Sequence, residues 1–157
     1  MENNIGSSLK SATTLIHVRK KLIKLFKSTK NQTGRGIIRI GYVAGILTSD
    51  GLKYFERNRK IIAKYTDQLR KVHKFPMFST VDVFSDEVYS RLEEYKLSFE
   101  EREAKLRNFW REIFKSGYVT DIFMTPRWNK SKGATDEHKT AKESGLRIHY
   151  IEDTHLI

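Results

Sequence analysis

Four short apolar runs, separated by stretches of helical periodicity, constrain this chain more than any other feature. The first, Ile37-Ile38-Arg39-Ile40-Gly41-Tyr42-Val43-Ala44-Gly45, is rich in β-branched residues and ends in a glycine turn. Phe75 to Phe84 reads as an approach loop and second strand, Tyr118 to Thr125 as a third, and Leu146 to Ile151 as a last. Such runs suit strands buried on both faces. Between them, Ser49-Asp50 offers a cap for a helix over Leu52 to Val72. Ser85 opens a helix to about Leu97, and Ser98 with Glu101 opens another that stops at Ser116-Gly117. Ala134 to Ser144 forms a helix ending at Gly145. Strands alternating with helices predict an α/β fold: a Rossmann/flavodoxin-like parallel sheet of four to five strands with helices on both faces. Ligands of such sheets bind beyond the carboxyl ends of the strands. That rule selects the segments after Gly45, after Phe84, and from Thr125 to Gly133.

The N-terminal part carries a different signal. Residues 1–40 hold nine Lys or Arg against one acid, Glu2, while the rest of the chain holds 21 basic and 18 acidic residues. The net charge of +11 is therefore concentrated in an arm, residues 1–35, ahead of a domain spanning 36–157. Residues 1–14 are small and polar, which predicts a loosely attached segment. From residue 15, Leu15, Val18, Leu22, Leu25 and Phe26 recur at helical spacing among lysines, predicting a basic amphipathic helix. Its apolar stripe is expected to dock on its own domain or a second subunit. Its cations, within residues 15–39, make nucleic acid or another anionic surface a candidate partner. Lys30 to Gly36 reads as a loop.

Several classes of chemistry are excluded. The chain has no cysteine, so disulfides and thiolate metal sites are absent. His17, His73, His138, His149 and His155 share no ligand spacing, and neither a P-loop nor a nucleophile elbow occurs. No apolar run approaches the roughly 18 residues of a transmembrane helix, and the N-terminus does not read as a secretory signal. A cytoplasmic location is the expectation.

The most informative segment runs from Asp121 to Gly145. A strand ends, a loop holding Ser131 and Gly133 follows, and a helix opens on Ala134 with Asp136 and Glu137 in its first turns. Backbone N–H groups at such a helix start, with Ser131 and Lys130 nearby, form a candidate anion cradle. The pattern D-x-x-x-x-P-x-W-x-x-S-x-G-A-x-x-E-x-x-x-A-x-x-x-G over 121–145 resembles the signature of the nucleoside 2-deoxyribosyltransferase-like superfamily. Its small phage and bacterial members and the nucleoside 5′-monophosphate N-glycosidases share it. Ile40-Gly41-Tyr42-Val43-Ala44-Gly45 is similar to that family's first strand and turn, and Asn58-Arg59 falls where relatives carry a similar pair. The resemblance spans roughly residues 37–151.

The resemblance implies cleavage or transfer of the N-glycosidic bond of a nucleoside or nucleoside 5′-monophosphate, with no cofactor and no metal. It implies Glu137 as the nucleophile that attacks C1′, Tyr42 lining the sugar pocket, and Ser131 at the 5′ end or its phosphate. Gly133, Ala134, Gly45, Lys130 and Trp128 complete the expected substrate-binding set, with Trp128 either stacking on a base or packing. It also implies a homo-oligomer, and the host cytoplasm for a phage-encoded member. Relatives place an aspartate eight residues before the strand aspartate. Here that position is Ile113, so Glu112 is the candidate acid, and Asp121 is read as structural. The alternatives are a non-catalytic nucleotide-binding or interaction module, and a nucleic-acid-binding protein acting through its basic arm.

Overall fold

The computed structural model describes residues 1–32 and 38–152. Four parallel strands, β1 (Gly41–Ala44), β2 (Met77–Ser79), β3 (Asp121–Met124) and β4 (Arg147–Tyr150), lie in the order β2-β1-β3-β4. Tyr42 sits opposite Phe78 on one side and Ile122 on the other, and Ile122 opposite Ile148. Every residue of β1, β2 and β3 is buried, which explains their mostly apolar character; the polar exceptions, Ser79 and Asp121, sit at strand ends. The expected Rossmann/flavodoxin-like α/β architecture is present, with the strand order reversing between β1 and β3.

Helices cover both faces. The helix α3 (Phe55–Val72) lies on one face, where Tyr65 and Leu69 meet Val43, Met77 and Phe123. The other face, carrying Tyr42, Phe78, Ile122 and Met124, is covered by three helices: α2 (Leu15–Gln32), α6 (Phe99–Lys115) and α7 (Lys132–Glu143). Short helices complete the set: α1 (Ile5–Ser8), α4 (Thr80–Val83) and α5 (Asp86–Arg91).

The N-terminal segment is not loose. Ile5, Leu9 and Ala12 are fully buried in the main core, and the Met77 N–H donates to Glu2 Oε1 at 2.8 Å. These apolar residues recur at helical spacing (i, i+4, i+7), a stripe hidden by the Gly, Ser and Lys between them. The basic helix docks on its own domain: Val18, Leu22 and Phe26 have no exposed surface, and the Phe26 ring lies 5.4 Å from that of Phe78. Leu25 is only partly buried against the same core. Most of the loop expected over Lys30 to Gly36, Arg35 within it, the boundary between residues 35 and 36, and His155 lie outside the described residues.

Three other local expectations need correction. Ser49 does not cap α3, which begins at Phe55 after a 3-10 turn over Leu52–Tyr54; its Oγ instead accepts from the Lys132 N–H at 3.1 Å. The second strand stops at Ser79 because Ser79 and Asp82 form a capping box that starts α4. The helix opened by Ser85 ends at Arg91 and gives way to a 3-10 turn over Glu93–Lys96. Among the described residues no helix is long and apolar enough to cross a membrane.

Candidate functional site

The carboxyl ends of β1 and β3 open into a cleft of about 1040 Å³. Its walls are the loop after β1, the N-terminal half of α6, and the loop and first turns leading into α7. This is where the strand-order rule places a ligand.

Tyr42 reaches the cleft from the middle of β1. Its ring is wedged 4.6 Å from Trp110, 5.1 Å from Phe114 and 5.3 Å from Phe78, so the hydroxyl has one direction to point. It donates to Glu137 Oε1 at 3.0 Å. Burial holds the Tyr42 hydroxyl protonated far above its ordinary range, reinforced by the neighbouring Glu137 charge. Burial also pushes the Glu137 carboxyl up to about 8; the Tyr42 hydrogen bond opposes this and the Asp136 charge adds to it. Glu137 is half-buried and lines the cleft. Asp136 is held aside in a pair of hydrogen bonds with Arg111 of α6.

The start of α7 forms the second part of the site. Ser131 is the N-cap, its Oγ accepting from the Ala134 N–H at 3.1 Å, which leaves its hydroxyl proton to donate. The Lys132 N–H is taken by Ser49, while the Gly133 N–H has no acceptor among the described residues. Ser131, Gly133, Ala134, Lys130, Lys132 and Lys139 all line the cleft. One free amide, one free hydroxyl proton and two lysines at the helix start, Lys130 and Lys132, with Lys139 about two turns further along, suit an anionic ligand group.

Gly45 lines the opposite wall, and there the absence of a side chain is structural. A Cβ at that position would lie 2.6 Å from Thr125 Oγ1 and 3.0 Å from Ile62 Cγ1. The loop after it is pinned by Asn58, whose buried amide donates to the Leu47 carbonyl at 3.0 Å. Arg59, the other member of the expected pair, reaches Asp86 at 2.8 Å instead.

Two expected site residues lie elsewhere. Glu112 is outside the cleft, on the flank of α6 that faces α2, 3.9 Å from Arg19. Trp128 turns away from the cleft and stacks on His138 with ring centroids 4.3 Å apart, and His138 in turn bonds Tyr150 at 2.8 Å. Ile113 is fully buried in the core. Asp121 sits at the opposite end of its strand, held by Arg39 (2.6 Å), Thr120 (2.6 Å) and His149 (2.8 Å). Those bonds, above all the Arg39 guanidinium, outweigh burial and hold its carboxyl down at about 2.

The acids that α6 does present to the cleft are Glu100 and Glu103, with Arg107 one turn on. Thr48 donates to Glu103 Oε1 at 2.8 Å, tying α6 to the loop after β1. Tyr89 and Phe99 add an aromatic edge. Sequence reasoning missed these residues. Their signal is the spacing of Glu100, Glu103 and Arg107 on one helical face (i, i+3, i+7).

Among the described residues no group of three or more His, Asp or Glu side chains is arranged to hold a metal ion. Comparison with protein-family models, with curated proteins and with solved structures finds no match.

Proposed function

We propose that the chain cleaves or transfers the N-glycosidic bond of a nucleoside or nucleoside 5′-monophosphate, with Glu137 as the reacting carboxylate. The observation that carries this reading is the Tyr42–Glu137 contact at the floor of a cleft whose rim is an anion-suited helix start. Ionised Glu137 attacks C1′ and forms an ester with the sugar. The C1′–N bond breaks with its electron pair going to the departing base. Water then hydrolyses the ester, or a second base displaces the carboxylate, as in retaining glycoside hydrolysis. Tyr42 orients the carboxylate through one oxygen and leaves the other for C1′. Ser131 and the Gly133 amide receive the 5′ phosphate, and Glu103 is the carboxylate in place to accept a sugar hydroxyl. The resemblance of residues 121–145 to the nucleoside 2-deoxyribosyltransferase-like superfamily supports the same assignment.

The test is incubation with a panel of nucleosides and 5′-monophosphates, with free base followed by chromatography. Release of base that disappears in Glu137→Gln supports the reading; release unchanged in that variant rejects it.

One observation favours a second reading. With its carboxyl pushed up to about 8, Glu137 is mostly protonated at neutral pH. A neutral carboxyl donates a hydrogen bond, which suits a module that holds a nucleotide without turning it over. Binding of 5′-monophosphates by calorimetry, with no base released over the whole pH range, selects this alternative.

A further inference from the structure

The outer face of α2 is basic along its length and is not used by the cleft. Residues 15–32 contain six Lys or Arg and no acid. Val18, Leu22 and Phe26 face inward and are fully buried, so the opposite side is fixed by the same helical rotation. It carries Lys20, Lys24 and Lys27, all exposed. Arg19 is paired with Glu112, but none of these three ammonium groups has an ion-pair or hydrogen-bond partner among the described residues.

Two features decide what this face fits. A basic amphipathic helix binds lipid by burying its apolar stripe below the headgroups. Here that stripe is already buried in the core, and Ile16 is the one large apolar side chain on the outer face that is mostly exposed. A protein partner is normally met by a patch with an apolar or aromatic centre, and no Phe, Tyr or Trp lies on this face. What remains is a row of flexible cations rising along the helix, roughly 6 Å from Lys20 to Lys24 and roughly 4.5 Å from Lys24 to Lys27. A row of that kind neutralises a phosphate backbone and reads no base edge.

We infer that the Lys20–Lys24–Lys27 face of α2 is a docking surface for the phosphate backbone of nucleic acid, independent of sequence and separate from the cleft. It draws the protein to a polynucleotide by charge, whatever chemistry the cleft performs.

The experiment is fluorescence anisotropy of the full chain with short labelled duplexes and single strands of unrelated sequence, titrated against salt. The expected result is binding without sequence preference, weakened roughly 40-fold between about 50 and 200 mM salt, as expected for about three neutralised phosphates. The variant with Lys20→Gln, Lys24→Gln and Lys27→Gln retains its thermal unfolding profile, because all three side chains are exposed, and loses both the affinity and the salt slope. Absence of binding at low salt overturns the inference, as does equal binding by the triple variant. Vesicles of phosphatidylserine and phosphatidylcholine form the comparison arm. Lysine-dependent capture by vesicles stronger than by nucleic acid assigns the face to lipid and overturns it as well. None of these outcomes depends on base release, so the cleft and this face are judged separately.

Discussion

Tyr42 and Glu137, 95 residues apart, meet through a 3.0 Å hydrogen bond in which the phenol donates to Oε1. Tyr42 is fully buried and Glu137 half-buried. The phenol is clamped by Phe78, Trp110 and Phe114, and the carboxyl that accepts from it lines the cleft. The pair joins the central strand to the helix that opens the cleft's rim.

Removing the phenol tests how far it controls the carboxyl. Tyr42→Phe keeps the ring packing and deletes one donor, with an expected stability loss of about 1 kcal/mol. A hydrogen bond to the charged form favours that form, so its loss raises the Glu137 pKa further. Any activity that follows ionisation of Glu137 then moves to higher pH. An unshifted pH–rate profile in Tyr42→Phe separates the two residues functionally.

Glu137 also leaves a signature in stability. Its folded-state value of about 8 exceeds the ordinary 4.5, so between these values the folded chain holds a proton that the unfolded chain has released. Stability from this group is therefore full below about 4.5 and is lost as pH rises through about 8. Glu137→Gln abolishes that component, so the variant gains on the parent as pH rises across the window. Asp121 works in the opposite sense and elsewhere: its carboxyl, held at about 2 against an ordinary 3.8, contributes stability that is lost as pH falls through that lower range. Urea unfolding of both proteins from pH 4 to 9 reads the difference, and parallel curves would contradict a buried, proton-holding Glu137.

Ser131 has two separable jobs. As the N-cap of α7 it satisfies the Ala134 amide, so Ser131→Ala lowers stability by about 1 kcal/mol. As a donor to an anionic group, its loss weakens 5′-monophosphates more than nucleosides. Calorimetry at fixed salt compares the two ligand classes. Equal losses for both leave Ser131 as a cap alone.

The N-terminal segment is part of the core. Phe26→Ala removes a fully buried ring and costs about 3–5 kcal/mol, whereas Lys24→Ala on the outer face changes stability by less than about 0.5 kcal/mol. Thermal unfolding distinguishes these values. A chain lacking residues 1–32 that unfolds at the parent's temperature would contradict the packing of α1 and α2.

What the sequence made legible follows from periodicity. The strands were visible because parallel strands buried on both faces need apolar runs, and the meeting of Tyr42 with the start of α7 follows once β1 and β3 are neighbours. The ends of elements were less visible: Ser79 and Asp82 cap a helix where the apolar run through Val81 and Val83 suggests more strand. The wrong acid on α6 has a geometric cause. Adjacent helical residues point about 100° apart, so Glu112, next to inward-facing Ile113, swings to Arg19. The acids that do face the cleft, Glu100 and Glu103, lie nearly three turns earlier, at the end of α6 above the carboxyl ends of the strands. Which end of a helix overhangs a cleft is set by tertiary packing and has no local signature. Ile5, Leu9 and Ala12 were diluted by polar neighbours, so composition pointed to a loose segment where spacing pointed to a packed one.

The most direct measurement is single-turnover release of free base from a nucleoside 5′-monophosphate across pH, comparing the parent with Glu137→Gln of verified fold. Glu137 as nucleophile predicts release that rises as pH passes through about 8, where the carboxyl ionises, and no release from Glu137→Gln at any pH. Base release by Glu137→Gln at the parent's rate, or no release from any nucleoside or nucleotide by the parent, would contradict it.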